Sequence, residues 1–199
     1  MSNSKKKTGF PGRFVIISGP SGSGKTTLNK ALLESPRLKG KLVKSISATT
    51  RPKRVGERQG RDYLYLSLPM FEDRLKKGYF LEAEKVFDNY YGTPKRQAMN
   101  LLKKGIHVLL CIDVKGGHRI GQEFPDAIKI FIKTPSMKVL QDRLRARASE
   151  THETLAMRLK VARQELKEAK HYDHVVVNSK LAKASREIEA IVCEALAIA

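Results

Sequence analysis

GPSGSGKTT, residues Gly19–Thr27, lies between the apolar run FVIIS (Phe14–Ser18) and the amphipathic stretch LNKALLE (Leu28–Glu34). Three glycines in six residues followed by Lys-Thr-Thr build neither a core nor an ordinary helix start. Gly19, Pro20, Ser21, Gly22, Ser23, Gly24, Lys25 and Thr26 satisfy the spacing G-x-x-x-x-G-K-[ST], and they sit where that pattern has a mechanism, between a buried strand and a helix. Glycines let successive backbone N–H groups turn toward phosphate oxygens, and the helix N-terminus adds its dipole. Lys25 reaches the outer phosphates, Thr26 offers a hydroxyl to Mg²⁺, and Thr27 follows in the first turn. The turn is therefore expected to hold a nucleoside triphosphate. A flexible linker would not explain the Lys-Thr placement. A dinucleotide fingerprint needs G-x-G-x-x-G and an acidic residue about 20 positions later, and neither is present.

Around this turn, short apolar runs alternate with amphipathic segments. RFVIIS precedes a helix to about Glu34; LVKSIS and DYLYLS read as strands; PMFEDRLKKG is a helix with Pro69 at its start and Gly78 at its end. FLEAEKVF follows, then a helix from Pro94 closed by Gly105, the run HVLLCID, the run AIKIFIK, two helices within 136–170, HVVVN and a last helix from about Leu181. Strands alternating with helices imply right-handed crossovers and a parallel sheet covered on both faces, an α/β fold. Residues of about 45–94 break the rhythm: strand-rich, basic and aromatic, they read as a small insertion lobe. Residues 1–11 read as a loose basic tail.

The chain has 199 residues, enough for one substantial domain. Its formal charge of +19, from 39 Lys and Arg against 20 Asp and Glu, favours anionic partners without choosing among them. Cys111 and Cys193 form no CxxC pair, and His171 and His174 alone are no metal site, so the expectation is a reducing compartment without disulfide or zinc. No run of about 18 apolar residues and no signal-length apolar segment occurs, so the protein is expected to be cytoplasmic, with no membrane partner.

Across nearly the whole chain, from about Arg13 to the last helix, the sequence resembles the guanylate kinase family. The resemblance is carried by GPSGSGKTT, SISATTRPKRVGERQGRDY, FLE, NYYGTP, CIDVKGG, DRLRARA, MRL and VVVN. It implies a P-loop kinase core with a parallel sheet flanked by helices, a small mixed nucleotide-monophosphate-binding lobe at about 45–94 and a helical lid at about 143–160, all within a domain over 12–197. It also implies ATP as phosphoryl donor, Mg²⁺, and phosphorylation of GMP and dGMP. Separately, a monomer or homodimer with no specific nucleic-acid partner is expected.

By resemblance, Arg51, Arg54, Tyr63 and Tyr91 grip the acceptor's phosphate, a task suited to guanidinium forks and phenol hydroxyls. Glu82, Asp113 and Ser47, with Thr93 as a further hydroxyl, match the family's guanine-reading positions. The chemistry is apt, since guanine offers N1–H and an amino group as adjacent donors and O6 as acceptor. Thr93 and Asp113 have a second reading as helix caps. Arg143, Arg147 and Arg158 match lid arginines that meet the transferring phosphoryl group, whereas Arg145 reads as a solvated helix face. Asn178 matches a residue beside adenine. The sequence departs from the family at Cys111, where an acidic residue is usual, at Ala148 in place of glycine, and at Ser179 in place of an acid. Three other readings compete: another P-loop small-molecule or nucleoside-monophosphate kinase, a non-catalytic guanylate-kinase-like binding module, and a basic nucleic-acid binder, for which no recognition motif is found.

Overall fold

The computed structural model describes residues 9–146 and 152–198. In chain order the elements are β1 (Phe14–Ser18), α1 (Lys25–Glu34), β2 (Leu42–Lys44), β3 (Ala48–Thr49), β4 (Leu64–Tyr65), α2 (Leu68–Lys76), β5 (Phe80–Val86) and β6 (Asn89–Pro94). Then come α3 (Lys95–Lys103), β7 (His107–Cys111), α4 (Val114–Glu123), β8 (Ile128–Lys133), α5 (Met137–Arg145), α6 (His152–Lys167), β9 (His174–Val177) and α7 (Leu181–Ala195).

Five strands form a parallel sheet in the order β2-β7-β1-β8-β9. β1 is central and wholly buried, which is why its sequence is a continuous apolar run rather than an alternating one. Its side chains still divide by the two-residue period. Val15 and Ile17 join Leu28, Leu32, Ile188 and Val192 beneath α1 and α7, while Phe14 and Ile16 join Leu102, Val108, Leu110 and Ile120 beneath α3 and α4. Two cores thus cover the two faces.

The second sheet is mixed, in the order β4-β3-β6-β5, with β5 and β6 an antiparallel hairpin and β3 and β4 parallel. It is inserted between β2 and α3 and has its own small core of Ala48, Leu66, Phe71 and Phe80, the last two rings stacked with centroids 4.6 Å apart. A third cluster, Leu140, Leu144, Leu155 and Ala162, packs α5 against α6.

The expected single strand LVKSIS is divided. Leu42–Lys44 pairs with β7 in the parallel sheet, and Ala48–Thr49 belongs to the mixed one. The link stays pinned where the Ser45 amide donates to the Leu109 carbonyl at 2.9 Å. DYLYLS likewise yields only the short β4: the Leu64 and Leu66 amides donate to the Ser47 and Thr49 carbonyls, while the Tyr65 amide turns the other way and donates to the Gln59 side chain at 2.7 Å. Of the residues read as a loose tail, 1–8 lie outside the described residues, and Phe10 packs its ring against Phe124.

Candidate active site

The C-terminal ends of β1 and β7 open onto a cleft of about 240 Å³. On one side, the turn after β1 enters α1 through Gly24, the helix N-cap, at φ 96 and with no side-chain cap. A left-handed cap of this kind suits glycine, and a Cβ there would also run into the Asn178 side-chain amide. The first amides of α1 are therefore left without a side-chain acceptor, and no acidic residue occupies its first turn, the arrangement that receives an anion. The Lys25 ammonium arches back over the turn, donating to the carbonyls of Gly19 at 2.5 Å and Pro20 at 3.0 Å. Gly19, Ser21, Gly22, Gly24, Lys25 and the exposed Thr26 line the cleft.

Asn178, expected beside adenine, meets the phosphate turn directly. It is 4 % exposed, at the end of β9, and its amide donates to the Ser23 carbonyl at 2.8 Å. Its own carbonyl accepts from the Arg143 guanidinium at 3.0 Å. One residue thus braces the phosphate turn through its side chain and anchors Arg143 through its backbone. Replacing Asn178 with Ala leaves the buried Ser23 carbonyl without that donor. We expect a loss of about 1–3 kcal/mol in unfolding free energy by denaturant titration, together with weaker nucleoside-triphosphate binding.

The opposite wall carries Ser47, Tyr63, Glu82, Tyr91 and Asp113. Glu82, on β5, is 3 % exposed, and the Thr93 hydroxyl donates to its Oε1 at 2.6 Å. Burial pushes the Glu82 carboxyl up to about 7; the Thr93 bond works against this, and the charge of Asp113 adds to it. The carboxyl also lies against the start of α4, where Gly116 makes room: a Cβ there would approach Oε2 to 2.8 Å. Thr93 is no helix cap, since Pro94 holds that position in α3, and its hydroxyl proton is engaged by Glu82. Asp113 does cap α4, through Oδ1, which accepts from the amides of Lys115 at 2.7 Å and Gly116 at 3.0 Å. Capping fixes its carboxylate at the cleft edge.

Arg51 is held by a carboxylate that the sequence reading passed over. Its Nη2 donates to Glu57 at 2.8 and 3.0 Å, the Arg54 backbone N–H donates to Glu57 at 2.8 Å, and the Tyr65 hydroxyl at 2.7 Å. Burial tends to raise the Glu57 carboxyl, but these donors prevail and hold it down at about 2. The Arg51 guanidinium also lies 5.4 Å from the Tyr63 ring centroid. Arg51 is thus fixed beside Tyr63, whereas the Arg54 residue is exposed. Burial also raises Tyr63 to about 12, so its hydroxyl remains a donor at neutral pH.

A second carboxylate missed in the sequence is Glu165 of α6, which lines the cleft with Lys25 and Asp113. Burial pushes it up to about 7, with the Lys25 charge pulling it down and that of Asp113 pushing it up. Cys111 ends β7 in the same wall, so the cleft has an acid from α6 and a thiol from β7. The only sequence clue to Glu165 was its place on the helix after the lid arginines. Arg158 lines the cleft from the same helix; Arg147 and Ala148 lie outside the described residues.

A parallel sheet with a phosphate-binding turn after its central strand, an acceptor cleft on an inserted sheet and a helical arm define a P-loop kinase. The guanylate kinase family profile matches residues 11–195. The chain belongs to the guanylate kinase family. It is 40 % identical over 183 residues to a guanylate kinase of Rickettsia bellii, covering 92 % of this chain and 94 % of that one. It is 41 % identical over 181 residues to a guanylate kinase of Clostridium tetani, covering 91 % and 85 %. The crystal structure of guanylate kinase from Anaplasma phagocytophilum superposes with a TM-score of 0.77 at 31 % identity, covering 92 % of this chain and 85 % of that one.

Proposed function

We propose that this protein transfers the terminal phosphoryl group of ATP to GMP, forming ADP and GDP. The observation that carries this reading is that one cleft joins a phosphate turn bearing Lys25 to a buried carboxylate, Glu82, of the kind that complements guanine's donor edge. ATP lies with its phosphates on the backbone N–H groups that follow Pro20 in the turn and open α1. GMP lies across the mixed sheet, its phosphate toward Arg51, Arg54, Tyr63 and Tyr91, its base toward Glu82, Asp113 and Ser47. Thr93 acts through Glu82, orienting its carboxylate. By the family resemblance, dGMP is accepted as well.

No general base is required. A phosphate monoester has its second pKa near ~6 and is largely a dianion at neutral pH, ready to attack in line. Lys25 and the lid arginines Arg143, Arg147 and Arg158 meet the negative charge that spreads over the transferring group. The lid also excludes water, which would otherwise hydrolyse ATP. Thr26, exposed in the cleft and with no side-chain hydrogen bond among the described residues, fits as the hydroxyl that would hold Mg²⁺. Mg²⁺ usually keeps several waters and binds through substrate phosphates, so the Thr26 hydroxyl would be its protein-side partner here. Bound there, it neutralises the phosphates and fixes their orientation. Among the described residues no helix is long and apolar enough to cross a membrane.

A coupled ADP-release assay with GMP, AMP, CMP and UMP in parallel tests the reading. Turnover with GMP and not with the other three is expected. Comparable rates with AMP would overturn the assignment of Glu82 as the base-reading group, since adenine presents an acceptor where guanine has N1–H.

A further inference from the structure

The tip of the β5–β6 hairpin is a two-residue turn, Phe87-Asp88, closed by the Val86–Asn89 pair. Phe87 has φ 54, and among the described residues the only other non-glycine with a positive φ is Ala197, at the end of α7. Two-residue hairpin turns that need this conformation ordinarily take glycine, asparagine or aspartate, and a bulky side chain there costs about 1 kcal/mol or more. Core packing does not offset that cost, because Phe87 is only half-buried and belongs to none of the hydrophobic clusters. Its ring instead forms part of the cleft wall and lies 5.6 Å from the Arg158 guanidinium. The contact joins the outermost point of the acceptor sheet to the lid helix.

We infer that Phe87 is a positioning residue for the reaction: its ring holds the Arg158 guanidinium at the cleft and couples that arginine to the acceptor sheet. The inference rests on the role given to Arg158 above. A ring engages the face of a guanidinium, whereas phosphate oxygens approach in its plane, so the two contacts are compatible. A carboxylate would compete with phosphate for the same N–H groups and neutralise the charge. The contact thereby ties the position of Arg158 to that of the β5–β6 tip.

Steady-state kinetics and NMR on the full chain test this. Phe87→Leu is expected to lower kcat about three- to tenfold with the KM for GMP within twofold, and Phe87→Tyr to restore most of it. In an Arg158→Ala background, itself impaired in kcat, Phe87→Leu should add nothing. The Arg158 side-chain resonance should lose its ring-current shift in Phe87→Leu. Phe87→Gly, which removes the backbone strain, should melt no lower than the parent yet share the kcat loss, separating positioning from folding. Equal losses from Phe87→Leu in both backgrounds, or unchanged kcat in Phe87→Leu and Phe87→Gly while Arg158→Ala is impaired, would overturn the inference. Unchanged kcat in Arg158→Ala would instead overturn the role of Arg158 and this inference with it.

Discussion

Glu82→Gln should reduce kcat/KM for GMP by about 10³-fold, almost entirely through acceptor recognition, while leaving the ATP site able to bind. The glutamine amide points donors at guanine's own donors, and a buried mismatch of that kind is strongly rejected. The same residue gives a stability signature that a surface glutamate would not. Its carboxyl is raised from an ordinary 4.5 to about 7, so the folded chain binds this proton more tightly than the unfolded one. Stability from this group is therefore fully present below pH 4.5, falls as pH rises between the two values, and is lost above 7. In the ligand-free protein, Glu82→Gln should raise the unfolding free energy by about 3 kcal/mol at pH 8 and by less than about 1 kcal/mol at pH 5. For the parent enzyme, kcat/KM for GMP should fall by about tenfold per pH unit below 7 as the carboxylate protonates. A variant that phosphorylates GMP normally, or whose stability gain is the same at both pH values, would show that Glu82 is neither the base-reading group nor a strained carboxylate.

The second large effect belongs to Lys25. Lys25→Met should lower kcat by about 10²–10³-fold, the scale for removing one preorganised charge from a transferring group. GMP affinity, measured by calorimetry, should change little, because the acceptor-binding side chains stand on the other wall. The carbonyls of Gly19 and Pro20 lose a donor in this variant, so a modest drop in melting temperature is expected as well. Activity within fivefold of the parent would mean that the turn does not hold the phosphates being cleaved.

The phosphate turn was legible in the sequence because its conformation is imposed locally, by glycines and by what immediately flanks them. The alternating strands and helices of the parallel sheet were legible for a related reason: each segment's burial is written in its own periodicity. What could not be read is what depends on distant chain. Asn178 braces Ser23 across 155 residues, and nothing near Asn178 announces that its amide faces the turn. The break in LVKSIS was hidden because an apolar run does not reveal that its two halves enter different sheets. Glu57 and Glu165 were overlooked because a carboxylate in a basic, anion-seeking chain looks like ordinary surface charge. In the folded chain one holds Arg51 and the other feels the charge of Lys25. The family resemblance supplied the acceptor residues, and the structure adds their mutual support: Thr93 on Glu82, and Asp113 on the start of α4.

The mixed sheet is a single uninterrupted excursion of the chain, leaving after β2 and returning at α3. All the side chains proposed to contact the acceptor, except Asp113, therefore travel together on one piece of polypeptide. Exchanging that piece between relatives should transplant the choice of nucleobase wholesale while leaving the phosphoryl-transfer apparatus in place, so altered acceptor preference can be inherited, or engineered, as a cassette.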